Sequence, residues 1–278
     1  AGFMLTEQSA GSLGRAYAGA GVDGTDLSGV YYNPATMVLH KGTAIQMGFV
    51  GIGLNLDYVG EDANGNEVTA NGREKSQAIP HGYIVHQIND KVWFGLGMTV
   101  PFGMGTEYDD NWAGNEHGIS ATILTFDLNP NFAFKLSEKF SVGVGASIQY
   151  AAADLKIRKN ITGDVNKALA GKGLQVQDAS VRSEIDADSI AWGWNVGMMW
   201  SPLENLRFGV SYRSKIQHDA EGDLSIDQLS VTPDKVGNID LTQIVGGALS
   251  QKRAYGDMDG SASVTAPAWA MASVAWDV

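Results

Sequence analysis

The residues that could do chemistry are few, and their spacing excludes most reactions. The five histidines, His40, His81, His86, His117 and His218, form no metal-ligand spacing such as H-E-x-x-H. No G-x-S-x-G turn presents a serine nucleophile, and the chain has no cysteine for a thiolate or a disulfide. The run Gly11 to Gly21 is glycine-rich, but no Gly-Lys-Ser/Thr follows it to hold a phosphate. The sequence therefore points away from an enzyme, a metal centre or a cofactor. What remains is the chemistry of binding and of chain geometry. Lys156, Arg158 and Lys159 form a basic cluster in an acidic chain, suited to a carboxylate or a phosphate. Pro101, Gly103 and Gly105 lie in one segment. Proline cannot donate to a ladder and glycine permits a bulge, so the three should interrupt strand pairing. Asn33-Pro34-Ala35 specifies a turn, because Pro fixes φ and Asn can bond its own backbone.

These residues need elements to position them, and the hydrophobic period identifies the elements. From Thr43 onward, apolar residues alternate with small or polar ones. Val92, Phe94, Leu96 and Met98 alternate with Trp93, Gly95 and Gly97. Val142, Val144, Ala146, Ile148 and Tyr150 alternate with Gly143, Gly145, Ser147 and Gln149. A period of two means strand. About eight strands follow, at roughly 43–58, 73–86, 91–108, 117–136, 139–158, 181–200, 206–218 and 262–276. Several are far longer than the ~5–6 residues usual in soluble sheets.

Short turns and long polar loops alternate strictly between them. Such a meander, with turns on one side and loops on the other, is the pattern of a transmembrane β-barrel. Aromatics near strand ends, among them Tyr31, Tyr32, Trp93, Tyr150, Trp192, Trp194, Trp200, Tyr212 and Trp276, suit a membrane interface. In the loops, Leu241, Ile244, Val245 and Leu249 fall at helical spacing, and Val165 to Leu169 predicts one further turn. These helices would form an apolar landing groove, pack on one another, or both.

Residues 1–42 differ: they are rich in small residues and lack a sustained period of two, so short helical turns packed closely against something else are expected. Ser9 and Asp26 are candidate helix N-caps.

Composition agrees. Glycine is high at 35 residues, and one parity of the strands is rich in Gly, Ser and Asn, leaving room in a lumen. The net charge of -12 excludes a general nucleic-acid binder. The chain starts at Ala1, compatible with a removed signal peptide.

Several segments resemble the FadL family of outer-membrane channels for long-chain fatty acids and other hydrophobic compounds. The resemblance rests on Ala1-Gly2-Phe3, Ser12-Leu13-Gly14-Arg15-Ala16-Tyr17-Ala18-Gly19 and Asn33-Pro34-Ala35. It extends to Trp192-Gly193-Trp194-Asn195-Val196-Gly197 and Phe208-Gly209-Val210-Ser211-Tyr212-Arg213-Ser214. It implies an all-β, antiparallel transmembrane barrel of about 14 strands, within the even-numbered range of such barrels. About eight of them lie in residues 43–278, with a small helical hatch of residues 1–42 inside the lumen. The C-terminal strands are expected to be missing from this sequence.

The resemblance also implies passive uptake with lateral release into a Gram-negative outer membrane, by a monomer contacting lipopolysaccharide and lipid. Phe3, Met4 and Leu5 would then line the internal site, and Lys156 and Arg158 would meet a carboxylate headgroup. Asn33, Pro34 and Ala35 would take part in hatch gating, and Pro101, Gly103 and Gly105 would make the lateral opening. The alternatives are a hydrocarbon channel of the same family, a polar porin, and a non-transport adhesin or structural barrel.

Overall fold

A computed structural model describes the chain except residues 1–3, 55–56, 62–64, 73–74, 110–111, 113–117, 252–257 and 277–278. Its frame is one eleven-stranded antiparallel sheet. The strands are β1 (Thr43–Leu54), β2 (Lys75–Asn89), β3 (Val92–Thr99), β4 (Gly103–Glu107), β5 (Ser120–Ser137), β6 (Phe140–Asn160), β7 (Asp178–Leu203), β8 (Leu206–Arg213), β9 (Ile216–Thr232), β10 (Met258–Ala266) and β11 (Trp269–Trp276). Three pairs, β3/β4, β8/β9 and β10/β11, are interrupted single crossings. The sheet is therefore an eight-crossing meander in which each crossing pairs with its sequence neighbours. It curls as a half-barrel. Among the described residues no helix is long and apolar enough to cross a membrane, which says nothing about strands.

The sheet is inside out relative to a soluble protein. On β5, Leu124, Phe126, Leu128, Phe132 and Phe134 are exposed, whereas Thr125, Asp127, Asn129 and Asn131 are buried. Phe49 is 69% exposed and Asn131 is 0% exposed. Water would penalise this arrangement and lipid favours it. Aromatics bound the apolar band on both sides. Trp200 stacks on Phe208 near the short turns, and Trp194 meets Tyr212 higher up. Trp192 and Trp200 are eight residues apart on β7, which is roughly 27 Å of strand. At a tilt near 40° this gives about 20 Å of height, close to the ~25 Å apolar band of such barrels. Tyr31, Tyr32 and Trp93 are not part of that belt. All three are buried inside, and the Trp93 indole donates to the His40 carbonyl at 2.7 Å. Tyr31 and Tyr32 belong to the N-terminal block and Trp93 has inward strand parity, so position rather than ring type decides the side.

The strands run further into the loops than alternation predicts. β9 continues to Thr232 and β10 starts at Met258. These portions carry polar residues on their outer face, so they show little contrast between faces. Two small hairpins, at Asp57–Glu61/Glu67–Asn71 and at Lys235–Val236/Ile239–Asp240, lie outside the main sheet. The long loops also hold two helices, named below.

The N-terminal block sits inside the curl. It contains α1 (Ala10–Leu13), α2 (Gly29–Tyr32) and a 3₁₀ helix, Pro34–Leu39. Ser9 caps α1 as expected, accepting from the Ser12 N–H at 3.1 Å. Asp26 caps no helix; its Oδ1 accepts from the Ser28 N–H at 2.9 Å. Asn33 caps the 3₁₀ helix by accepting from the Ala35 N–H at 3.1 Å, and Pro34 occupies the first turn, where its missing N–H costs nothing.

The inward glycines make room for this block. A Cβ on Gly143 would lie 2.6 Å from Ala35 N and from Pro34 C. Both are backbone atoms that cannot rotate aside. Gly143→Ala should therefore leave the strands assembled but lift the block off the wall. Added protease should cleave residues 1–42 faster while the heat-modifiable mobility of the barrel stays native. Unchanged cleavage would show that the close approach is not required.

Candidate functional site

The interruption between β3 and β4 lies where Pro101, Gly103 and Gly105 predict it. The ladder between β2 and β3 ends at Gly82↔Met98. Beyond it, β4 pairs with β5 alone. The freed backbone groups nevertheless have partners, as buried polar groups require. Gln8 Nε2 donates to the Val100 carbonyl at 2.8 Å, and the Leu5 N–H donates to the Pro101 carbonyl at 2.9 Å. Thr125 serves Phe102: its Oγ1 accepts from the Phe102 N–H at 3.0 Å, and its own N–H donates to the Phe102 carbonyl at 3.0 Å. Met4 forms an isolated antiparallel bridge with Phe102. The N-terminal segment thus takes over part of the bonding that β2 abandons.

Two groups of residues far apart in sequence are therefore brought together. Met4 and Leu5 touch the segment of Pro101 and Gly103, and a Cβ on Gly103 would lie 3.0 Å from Leu5 Cδ1. Phe3 falls outside the described residues. Where the β2–β3 ladder ends, the outer wall carries a groove of about 260 Å³ lined by Met47, Gly82, Ile84, Met98 and Phe126. Gly105 faces Gln77 of β2, whose amide nitrogen would be 2.9 Å from an added Cβ.

Asn33, Pro34 and Ala35 fix the block to the opposite wall. Asn33 Nδ2 donates to the carbonyls of Gly21 at 2.8 Å and Met198 at 3.0 Å. Ser141 Oγ donates to the Ala35 carbonyl at 3.2 Å. This segment is deeply buried and tied to β6 and β7, whereas Met4 and Leu5 are only half-buried.

Lys156 does not reach the lumen. It shares the outward parity of Tyr150, and its Nζ lies 2.7 Å from Glu184 Oε1 across the β6–β7 pair. Asp154 and Asp186 are neighbours there. Arg158 pairs in register with Arg182 on the same outward parity. The Lys156 ammonium, expected to meet a carboxylate headgroup, is thus engaged by the Glu184 carboxylate of the protein itself. Alternation alone does not place these residues, because both parities of this strand end carry polar or charged side chains.

The loop apolar residues pack on one another. Helix α3 (Thr162–Leu169) and helix α4 (Leu241–Gln251) form a cluster with the ends of β7 and β9, built on Val165, Leu169, Val181, Val231, Leu241 and Val245.

The group that sequence reasoning missed is the buried polar layer under the block. Arg213 Nη1 donates to Ser147 Oγ at 2.6 Å. Its Nη2 donates to Asn129 Oδ1 at 2.9 Å and to the Tyr31 carbonyl at 3.1 Å. The guanidinium lies 4.5 Å from the Tyr31 ring centre and 3.8 Å from Asp127. Asn129, Asn195 and Asn131 continue the network. Gln149 links Asp127 to His218. The only signal was polar residues on the glycine parity.

Replacing Arg213 with Ala would leave the Asp127 carboxylate buried without its cation, at an expected cost of about 3–5 kcal/mol. The double variant Arg213→Leu/Asp127→Leu should recover part of the loss. Urea unfolding in lipid vesicles measures both; equal destabilisation of the two variants would deny the charge pair its role.

A second knot holds the block together. Asp26 Oδ2 accepts from Ser9 and Ser12 at 2.8 Å each. Burial alone would raise the Asp26 pKa, but hydrogen bonds from Ser28, Ser9 and Ser12 outweigh it and hold the carboxyl below its usual value. A depressed carboxyl stabilises fully above its unfolded pKa of ~3.9 and loses that contribution as pH falls through the folded value. Asp26→Asn should therefore speed amide exchange over residues 9–28 at pH 7. Wild type should approach the variant only below about pH 3.9; convergence at pH 6 would contradict the assignment.

The model of the family described as outer membrane protein transport protein (OMPP1/FadL/TodX) matches residues 1–278. The long-chain fatty acid transport protein of Salmonella typhi is 29% identical over 252 residues, which is 89% of this chain and 58% of that protein. Outer membrane protein P1 of Haemophilus influenzae is 30% identical over 274 residues, 87% of this chain and 60% of that one. The chain thus spans about six-tenths of the curated relatives it matches. Among solved structures, a Pseudomonas aeruginosa FadL homologue superposes with a TM-score of 0.81 at 22% identity, over 100% of this chain and 66% of that one. The Pseudomonas putida toluene transporter TodX gives 0.60 at 17% identity, over 92% and 63%. These two likenesses establish the fold. With the family model covering its whole length, the chain belongs to the FadL/TodX family of outer-membrane transport proteins.

Proposed function

We propose that this protein takes up long-chain fatty acids or other hydrophobic molecules by passive binding and diffusion, and releases them sideways into the outer membrane of a Gram-negative cell. Residues 1–42 act as the hatch and the strands from residue 43 as the channel wall. The observation that carries the reading is the seating of Met4 to Gln8 on the strand interruption at Val100 to Phe102, beside an apolar groove on the lipid-facing wall. An apolar solute arriving inside would compete for the place of Met4 and Leu5. Withdrawal of that segment would free the Val100 and Pro101 carbonyls and loosen the wall where β2 and β4 are already unpaired. The names of relatives support a hydrophobic cargo: one is named for long-chain fatty acids and another for toluene.

Lys156 offers no free cation for a carboxylate, so the choice between an acid and a hydrocarbon rests on shape and apolar contact. Its outward position beside Arg158 suits lipopolysaccharide phosphates instead, as one partner of the wall.

Uptake of labelled oleate and of toluene by cells carrying the intact protein tests the reading. Wild type should accelerate at least one of them over cells lacking the protein, with almost no ion conductance in planar bilayers. Gly103→Leu, which places a side chain on Leu5, should cut uptake by about tenfold without loss of assembled barrel. No acceleration by wild type, or porin-like conductance, would overturn the proposal.

A further inference from the structure

The seventh crossing is interrupted as well, and in a different way. The β7–β8 ladder ends at Arg213↔Asn195, and the β7–β9 ladder resumes at Glu221↔Asp188. Between these points the chain steps inward over β7. Ser214 makes the step without stranding the backbone. Its N–H donates to the Trp194 carbonyl at 2.9 Å, and its Oγ accepts from the Trp194 N–H at 2.9 Å. The step needs Gly193: a Cβ there would lie 2.6 Å from Ile216 Cγ1 and 3.1 Å from Ser214 Oγ.

The step carries Ile216 into the interior, where it is 2% exposed. There Ile216, Ala191 and Ala266 join Phe102 in one apolar cluster, with Met4 packed against it. Phe102 belongs to the third crossing and the others to the sixth, seventh and eighth. The fourth and fifth crossings separate them along the sheet, so the cluster spans the lumen and not the wall. Ile216 therefore adds an apolar contact across the lumen between two inward polar residues of the same crossing, Arg213 and His218.

We propose that Ile216 and Phe102, presented by inward steps of two separate crossings, are the two jaws of an apolar gate. Met4 packs against this cluster, and the side-chain volume at residue 216 sets the width of the path for hydrophobic solutes. The proposal rests on the uptake reading above. It assigns a width-determining residue to the seventh crossing, away from the interruption between β3 and β4. A jaw of this kind needs no charge and no moving loop. It needs only that a solute can replace side-chain contacts at similar free energy, which an apolar solute can do and water cannot.

The test compares Ile216→Ala and Ile216→Trp in the intact protein, using labelled oleate uptake together with the amount of heat-modifiable barrel at the cell surface. The gate predicts opposite shifts at equal barrel amount: the alanine variant faster and the tryptophan variant slower, by about tenfold between them. A purely structural residue would lower uptake in both variants, in proportion to lost barrel, and that result would overturn the gate. Uptake within twofold of wild type in both variants would overturn it too, while leaving the transport reading intact. Absence of uptake by wild type would overturn the transport reading and the gate with it.

Discussion

In lipid every backbone N–H and C=O must find a partner inside the protein, and the rest of this structure follows from that demand. The meander answers it for most residues through continuous ladders. Two interruptions show how local chemistry answers it elsewhere. At Val100 to Phe102 the replacements are the side chain of Gln8, the backbone of Leu5, and Thr125. At the seventh crossing a single hydroxyl, that of Ser214, serves Trp194. The first is bonded partly from the N-terminal block, at Val100 and Pro101, and that part is undone if the block moves. The second is bonded within the wall and persists when the block moves. The two breaks therefore differ in kind: one is conditional and one is permanent.

The same demand explains the interior. A lumen that holds a peptide block must satisfy that block's own polar groups. Its lining carries Asn129, Asn131, Ser141, Ser211 and Arg213 where a soluble core would place Leu or Val. Ser211 Oγ donates to the Tyr32 carbonyl at 2.6 Å, and Arg213 reaches the Tyr31 carbonyl beside it. Burying Arg213 is costly on its own. Asp127, Ser147 and Asn129 offset part of that cost from the wall and the Tyr31 carbonyl adds a bond from the block, so wall and block stabilise each other. Glycine contributes the complementary part, since the block approaches β6 closely at Gly143.

Much of this was legible in the sequence because it rests on period and on backbone chemistry. Alternation marked the eight crossings, Pro101 with its glycines marked the interruption, and Asn33-Pro34 marked a turn whose cap the structure contains. What was not legible depends on which way a parity faces and on what lies across the lumen. Lys156 looked like a free cation, yet Glu184 stands 28 residues further along the chain and directly opposite. Trp93 looked like a belt residue, but it shares parity with Gly95 and Gly97 and so points inward. Arg213 was visible only as part of a family-like string. Its partners come from three separate elements, β5, β6 and α2, and no spacing within the chain predicts that convergence. Ile216 and Phe102 were invisible for the same reason.

The block is held unevenly, and this unevenness bears on motion. Around Asn33 to Ala35 it is deeply buried, meets backbone at Gly143, and is bonded to β6, β7 and β8. At Met4 to Gln8 it is half-buried in part and is held chiefly by hydrogen bonds to Val100, Pro101 and Tyr83. Local opening begins where few apolar contacts are lost and the freed groups can find other partners. The terminal segment meets that condition and the Asn33 region does not. On the proposed uptake reading, a solute would displace Met4 and Leu5 while the rest of the block stays on its polar layer. Among the described residues, the backbone that would lose these bonds is Pro101 to Phe102, where the wall is already severed from β2.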